Sequence, residues 1–438
     1  MSELTTFHTV DEGRFHIHTL QTDQFRTRHL VAKLAVPLHR ERITETAMLP
    51  YLWLEGTRSH PTALAITRCA DDLFGAMLRS GIGKRGNRHV AEVYLSVPDE
   101  GRLRGADGIF EQGLGLLLEV VTDPLLEGGG FSNGNVERER GLHRKRIESV
   151  LDDKIAWAME RALAESLAGL PEGLPRLGFA EDLEAVTPEG LYAAHQALLQ
   201  EAEVHVYAIG AFDDSPALAS RVLTALREAF PDPRHGTPSP GVPAVAPVPA
   251  RSGEPHRVTD DQPVQQGKLN LVYRTGVAYA SDDYPALLVA NGVLGGFPHS
   301  KLFRNVREKA SLAYYASSRV DALSGLVIIQ TGIDPANRDR AEAIILEQVD
   351  ALRRGDVADE ELAFTKRGLA NQYRQSLDVP AAMADIHFGG VLAGHTRTVD
   401  ELLDAIADVT RDQVVAAANR LQLDTVYFLR GEGGAEHA

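Results

Sequence analysis

Hydrophobic residues recur along the chain with two different periods, which predict strands at the ends of each half and helices between them. Residues 29–38 (HLVAKLAVPL) and 268–277 (KLNLVYRTGV) alternate partly with a period of two, as strands with one buried face do. Residues 92–98 and 327–333 predict two further strands. Residues 135–168 contain no proline and place their apolar side chains on one broad stripe, which predicts a single long helix.

The two halves of the chain carry the same pattern, which indicates a duplicated domain. Residues 186–210 and 409–431 each begin with Val-Thr, continue with an Ala-rich helical stretch and close on an apolar strand before a glycine. Thr187 and Thr410 are suited to the N-caps of these helices. Helices are also predicted at 338–353 and 359–378. The predicted fold class is therefore α+β, with two homologous domains, each a mainly antiparallel sheet with helices packed on it.

A proline-rich stretch separates the two halves. Eight prolines fall between residues 231 and 255, and proline fixes φ and lacks a backbone donor, so this stretch is neither a helix nor a central strand. We predict an N-terminal domain at 1–230, an extended linker at 231–262 and a C-terminal domain at 263–438. A ligand for a proline-binding partner is the alternative to a simple spacer.

Composition excludes several classes of protein. A chain of 438 residues that is 44% hydrophobic suits two domains. The net charge of −16 argues against binding to nucleic acid or to anionic membranes. The single cysteine, Cys69, is predicted in the core and excludes an internal disulfide. The sequence has neither a signal-peptide pattern nor an apolar run of membrane-spanning length, so we expect a cytoplasmic protein.

Residues 47–78 (AMLPYLWLEGTRSHPTALAITRCADDLFGAML) resemble the active-site helix and following turn of the pitrilysin/insulinase zinc peptidases, the family that includes the mitochondrial processing peptidases. The family motif H-x-x-E-H is followed five residues later by Gly-Thr, which here is Gly56-Thr57. Counting back from this pair gives the positions of the first His, the Glu and the second His, which are Ala47, Pro50 and Tyr51.

These replacements remove the chemistry of the motif. In the family, two imidazoles one helical turn apart hold Zn²⁺, and the Glu is the general base for the metal-bound water. Ala47 and Pro50 offer no ligand or carboxylate, and Tyr51 is a poor ligand while it is protonated. Residues 136–149 (VERERGLHRKRIES) resemble the helix of the third ligand, whose position falls at Arg146. The resemblance therefore implies no metal ligand and no catalytic residue in this chain.

Residues 292–318 (GVLGGFPHSKLFRNVREKASLAYYASS) resemble the C-terminal half of the same family, with its Ser-x-Leu-Phe, Arg-Glu-Lys and Leu-Ala-Tyr runs. In the family, the Arg and Tyr at the positions of Arg307 and Tyr314 hold the bound peptide near the zinc. A guanidinium can donate to peptide carbonyls or a carboxylate, and a phenol can donate to an oxyanion. From the residues alone, the competing interpretation is a surface arginine and a core tyrosine.

The resemblance implies a non-catalytic, substrate-binding subunit of a heterodimeric zinc peptidase. It is closest to bacterial members that lack the zinc motif and keep the Arg and Tyr. The implied partners are a homologous zinc-bearing subunit, which would hold the only zinc, and a peptide substrate; no nucleic acid or membrane is expected. Two alternatives stay open, namely a structural or assembly protein of the same fold, and a metallopeptidase with a displaced metal site.

Three histidines are the remaining candidates for a displaced metal site. His16 and His18 share one face of a predicted strand, but the sequence provides no third ligand near them. His60 lies in a predicted loop after the degenerate motif. We expect His16 and His18 on a partly exposed strand and no ligand role for His60. Residues 294–297 (LGGF) lack the Lys-Ser/Thr of a phosphate-binding loop and predict a turn.

Overall fold

The computed structural model describes residues 6–105, 107–231, 244–249 and 253–431. They form two compact units. The first takes in the described residues within Met1–Glu148, Leu174–Pro243 and Pro380–Ala384, and the second those within Ser149–Gly173, Ala244–Val379 and Asp385–Ala438.

Each unit is a sheet with helices packed on it. The strands are β1 (His8–Glu12), β2 (Phe15–Gln21), β3 (Thr27–Pro37), β4 (Met77–Arg85), β5 (Arg88–Pro98), β6 (Leu126–Glu127), β7 (Gly130–Phe131), β8 (Glu203–Gly210), β9 (His256–Gln262), β10 (Gly267–Arg274), β11 (Ala313–Asp321), β12 (Leu326–Ile333) and β13 (Gln422–Gly431). The helices are α1 (Ile43–Trp53), α2 (Ala63–Asp72), α3 (Ile109–Thr122), α4 (Asn133–Asp152), α5 (Lys154–Ser166), α6 (Pro188–Glu201), α7 (Ser215–Ala229), α8 (Tyr284–Asn291), α9 (Arg338–Arg353), α10 (Asp359–Ser376), α11 (Pro380–Leu392), α12 (Val399–Asp408) and α13 (Arg411–Asn419).

The two sheets repeat one strand order. The first unit has the order β1-β2-β8-β3-β5-β4, and the second has β9-β13-β10-β12-β11. Apart from the extra strand β1, each strand of one sheet has a counterpart in the other. The only parallel pairs in these two sheets as described, β2 with β8 and β9 with β13, also correspond. The predicted α+β fold class, with its mainly antiparallel sheets and its internal duplication, is confirmed.

Local sequence explains where these elements begin and why they are buried. Thr187 caps α6 by accepting a hydrogen bond from the backbone N–H of Gly190, and Thr410 caps α13 through that of Gln413, as predicted. The predicted strands at 29–38 and 268–277 are β3 and β10, which lie inside their sheets and are buried along almost their whole length. Cys69, predicted in the core, is half-buried on α2.

The stretch predicted as one helix at 135–168 is two helices, so that prediction is wrong. Asp153 stands between α4 and α5, and its Oδ1 atom accepts hydrogen bonds from the backbone N–H groups of Ile155 (3.0 Å) and Ala156 (3.1 Å). An aspartate that caps a new helix in this way ends the previous one. The apolar positions keep a helical spacing in the sequence across the break, which is why the periodicity does not reveal it, although Leu142 and Ile155 of that stripe are exposed.

Helix α5 belongs to the second unit, although the sequence-based division places residues 149–173 in the domain at 1–230. Its side chains Met159 and Ala162 pack in one core cluster with Val272, Ile328 and Tyr427 of the second sheet. A buried ion pair secures this end of the helix. Its members are Arg274 and Asp424, whose Nε and Oδ1 atoms are 2.7 Å apart, and Ser166 Oγ donates to the same carboxylate at 2.7 Å.

Most of the proline-rich part of the predicted linker, residues 232–243 and 250–252, lies outside the described residues. Residues 244–249 lie against the second unit, where Val245 and Val248 are buried. The N–H of Val245 donates to the carbonyl of Leu392 at 2.8 Å, and that of Val248 to Ser324 at 3.0 Å. The predicted linker also contains strand β9. None of the helices in the described ranges has the length and apolar character that a membrane crossing needs.

Candidate functional site

Helix α1 carries the three degenerate positions of the zinc motif in the first unit. Ala47 is completely buried, Pro50 is buried inside the helix and Tyr51 is half-buried. Proline has no N–H to donate and no side-chain oxygen, so position 50 offers no general base. The hydroxyl of Ser80 on β4 donates to the carbonyl of Pro50. The helix therefore has a structural role where the family motif has a catalytic one.

The structure brings Tyr51 together with Arg146, the position of the third ligand on α4. The guanidinium carbon of Arg146 lies 3.7 Å from the centre of the Tyr51 ring, in a cation–π contact. The same guanidinium forms an ion pair with Glu139, two turns earlier on α4, whose carboxylate is almost completely buried. Burial raises the pKa of Glu139, and the charge of Arg146 acts against that rise. Positive charge already occupies this place, and the residues present do not fit a zinc ion.

His143, on the same helix, completes this cluster and was not singled out from the sequence. Its ring is completely buried, with its centre 6.3 Å from that of Tyr51. Its Nε2 atom donates to the carbonyl of Leu177 at 2.8 Å, and burial lowers the pKa of the imidazole. The spacing of His143 four residues after Glu139 is the signal that could have identified it. Among the described residues, no group of three or more His, Cys, Asp or Glu side chains is arranged to hold a metal.

The Gly-Thr pair after α1 shapes a turn. A Cβ atom on Gly56 would lie 2.9 Å from the carbonyl oxygen of Pro61, so only glycine fits there. Thr57 is fully buried and donates through its hydroxyl to Glu119 on α3, and His60 Nδ1 lies 3.1 Å from the same carboxylate. Burial alone would raise the pKa of Glu119, but its hydrogen bonds with Thr57 and His60 lower it. These contacts give His60 a structural role.

The other two candidate histidines lie in a stack of rings on the first sheet. His18 is completely buried, and its Nε2 atom is 3.2 Å from Nδ1 of His205 on β8. The ring of His16 stacks on that of His205 with centres 4.5 Å apart, and its Nδ1 atom is 2.7 Å from Asp11. The strand is therefore more buried at His18 than the sequence predicts.

The segment that carries Arg307 and Tyr314, in the second unit, has an unusual backbone. Gly292–Gly296 and Phe303–Lys309 are π-helical, so the predicted turn at 294–297 instead lies partly in the first of these segments. Ser311 has a φ of 53°, in the left-handed region that non-glycine residues seldom occupy. π-Helical segments and strained residues concentrate at functional sites, where they aim side chains.

Tyr314 projects from a β-bulge on the edge strand β11. Ala313 pairs with Ile333 and Tyr315 with Gly332, so Tyr314 is the extra residue with no partner on β12. The bulge leaves its side chain 71% exposed. The competing interpretation of Tyr314 as a core residue is therefore wrong.

Arg307 is exposed, with its guanidinium carbon 4.5 Å from the centre of the Phe303 ring. No carboxylate among the described residues pairs with it, so its donors remain available. The segment is held in place where Asn305 Nδ2 donates to Gln348 Oε1 of α9 at 2.5 Å. The exposed guanidinium of Arg307 and the exposed phenol of Tyr314 are close in the sequence. Both can donate hydrogen bonds to the carbonyl groups of an extended peptide.

Comparison with known proteins decides the family. Residues 185–369 match the family described as the peptidase M16 inactive domain. The chain is 35% identical over 432 residues to the probable inactive metalloprotease YmfF of Bacillus subtilis, and this match covers 97% of both proteins. The chain belongs to the M16 family of pitrilysin-like peptidases. The resemblance inferred from the two sequence segments is confirmed.

Two solved structures have the same fold. A conserved protein from Enterococcus faecalis is 28% identical, with a TM-score of 0.89 over 98% of this chain and 100% of that one. An M16 inactive domain from Pseudomonas fluorescens, 17% identical, matches with a TM-score of 0.78 over 99% of this chain and 100% of that one, which shows the fold alone. Together with the lost H-x-x-E-H motif, the likeness to an inactive M16 protein fits a non-catalytic role.

Proposed function

We propose that this chain is the substrate-binding, non-catalytic subunit of a two-subunit zinc peptidase. A homologous M16 chain with an intact H-x-x-E-H motif supplies the zinc and the general base. This chain supplies Arg307 and Tyr314, which hold the peptide beside that zinc. No cofactor is bound by this chain, and the ligand is a peptide in extended conformation.

The observation that carries the proposal is the exposure of two hydrogen-bonding side chains on a constrained backbone. Tyr314 is 71% exposed on a bulge, and Arg307 is exposed with no ion-pair partner among the described residues. A fold that needed only packing would have no use for the left-handed Ser311 between them or for the π-helical segment that carries Arg307. Such backbone is tolerated where it aims a functional group.

Chemistry supports a division of work between two chains. Peptide hydrolysis needs an activated water molecule and donors that orient the scissile carbonyl. The positions that would activate water hold Ala47, Pro50 and Arg146, so this chain lacks the first requirement. Arg307 and Tyr314 are suited to the second. A scaffold without substrate contact, the main alternative, would require neither donor.

The test is reconstitution with the homologous zinc-bearing chain of the same organism. Cleavage of a peptide library identifies a substrate, and kcat/KM is then measured for Arg307→Ala and Tyr314→Phe. Loss of a charge-assisted contact predicts a fall of about 100-fold for Arg307→Ala, and loss of one neutral hydrogen bond about tenfold for Tyr314→Phe. Both variants should keep the wild-type melting temperature and bind the partner as tightly as wild type.

Arg304→Ala is the matched control, because Arg304 lies in the same π-helical segment but pairs with Glu361 at 3.6 Å. It should leave turnover unchanged. Full turnover with both Arg307→Ala and Tyr314→Phe would contradict the clamp and favour a scaffold. About one equivalent of zinc in the isolated chain, with peptide cleavage that is lost on chelation, would favour a displaced metal site.

A further inference from the structure

In the cluster of Glu139, Arg146 and Tyr51, a buried carboxylate is paired with a positive charge, as the carboxylate of a metal site is when its cation is bound. The side chain of Glu139 is 1% exposed, and an isolated carboxylate at such a depth is strongly unfavourable. Its ion-pair partner in the cluster is Arg146, whose side chain is 30% exposed. Arg146 lies two turns further along the same helix. The buried negative charge is thus balanced from within the chain.

Tyr51 gives this cation its second support and connects two helices. Tyr51 lies on α1 and Arg146 on α4, and the guanidinium carbon sits 3.7 Å from the centre of the phenol ring. A planar guanidinium can stack on an aromatic face and donate to a carboxylate at the same time, which an ammonium group does poorly. The contact therefore joins α1 to α4 through a positive charge.

We infer that the guanidinium of Arg146 is the resident cation of this site and replaces, between α1 and α4, the metal ion of the catalytic M16 proteins. The ion pair with Glu139 and the stack on Tyr51 hold the two helices together without zinc. The chain accordingly reaches its full stability with no metal. This inference concerns the isolated chain and does not depend on the proposed partner or substrate.

Thermal unfolding of four full-length proteins tests the inference. They are wild type, Arg146→Met, the double variant Glu139→Gln/Arg146→Met, and Arg144→Met as the matched control. Arg144 lies on the same helix in an ion pair with Glu184, but both side chains are exposed, at 36% and 78%. Surface pairs of this kind contribute little, so the control should melt within about 2 °C of wild type.

Arg146→Met leaves Glu139 buried without its partner and should melt at least about 4 °C below wild type. The double variant removes both charges and should regain most of that loss. If Arg146→Met alone fails to fold, a folded double variant still supports the inference and an unfolded one overturns it. A single variant as stable as the control, or a double variant no better than the single one, also overturns it.

Removing or adding metal in the same thermal unfolding experiment is an independent test of the inference. Neither EDTA nor one equivalent of ZnCl₂ should shift the melting temperature of wild type, because its cation is covalently part of the chain. A ligand that binds the folded state raises that temperature by mass action. A clear rise with stoichiometric zinc would show that a metal takes the site, and would overturn the assignment of Arg146.

Discussion

Tyr314 and Tyr315 are adjacent in the chain but lie in opposite environments. The ring of Tyr315 packs over Gly332 on β12, so closely that a Cβ atom at position 332 would lie 2.6 Å from it. Burial raises the pKa of the Tyr315 phenol to about 12, whereas Tyr314 is 71% exposed. The half-buried ring of Tyr315 anchors the bulge from which the exposed ring of Tyr314 projects.

This anchoring predicts that Gly332→Ala destabilises the second unit by roughly 1–3 kcal/mol, because the new methyl group overlaps the ring of Tyr315. Urea-induced unfolding measures the change. Gly81→Ala is the control, since Gly81 lies in edge strand β4 with nothing within 4 Å of an added Cβ atom. Equal stabilities for the two variants would show that Tyr315 yields easily.

A fragment cut within the predicted linker should not fold. Residues 244–438 lack α5, so the apolar face formed by Val272, Ile328 and Tyr427 would be exposed to water. Fusing residues 149–173 to this fragment should restore cooperative thermal unfolding and reduce binding of a hydrophobic dye. A cooperative transition in the shorter fragment, at the temperature seen in the longer one, would contradict the role of α5.

The segment 244–249 of the predicted linker should be sensitive to charge at its two buried residues. Val245→Asp and Val248→Asp place a carboxylate at buried positions and should each cost about 3 kcal/mol or more in the free energy of unfolding. Ala246→Asp lies between them at an exposed position and should change stability by less than about 0.5 kcal/mol. Equal effects at positions 245 and 246 would show that this stretch is not packed.

Stability should fall as the pH drops below 6.5. His195 is completely buried beside Trp53, whose indole N–H donates to its Nδ1 atom at 3.2 Å, and burial lowers the pKa of His195 to about 3. Between pH 6.5 and 3 the unfolded chain therefore binds a proton at this residue that the folded chain does not. The loss from His195 is about 2 kcal/mol at pH 5. His195→Gln should reduce this pH dependence; an unchanged dependence would contradict the assignment.

The spacing of hydrophobic residues was enough to predict the sheets. The reason is that β3 and β10 are central strands whose buried apolar residues dominate the local pattern. It could not place α5. The apolar stripe of a helix shows that it packs on something, but not on which of two similar sheets. The break at Asp153 was missed for a related reason, since an N-capping aspartate interrupts no periodicity.

The candidate site was likewise predicted only in part from the sequence. The positions of Tyr51 and Arg146 followed from spacing relative to a known motif, but their stacking depends on how α1 and α4 pack together. His143 was missed because its only signal is its spacing four residues after Glu139, which exposed pairs on helices share. The exposure of Tyr314 was not predictable from residue type, because it results from one extra residue in the pairing of β11 with β12.

The placement of α5 also constrains the order of events during synthesis. The helix ends at Ser166, but its sheet is complete only when β13, which begins at Gln422, has been made. During synthesis, the apolar face of α5 has no sheet to pack on while most of the second half is translated. Contacts between residues this distant in sequence form slowly, and apolar surface that stays exposed meanwhile is prone to aggregate. The apolar face of residues 154–166 therefore stays without its partner sheet in the nascent chain until the last strand emerges.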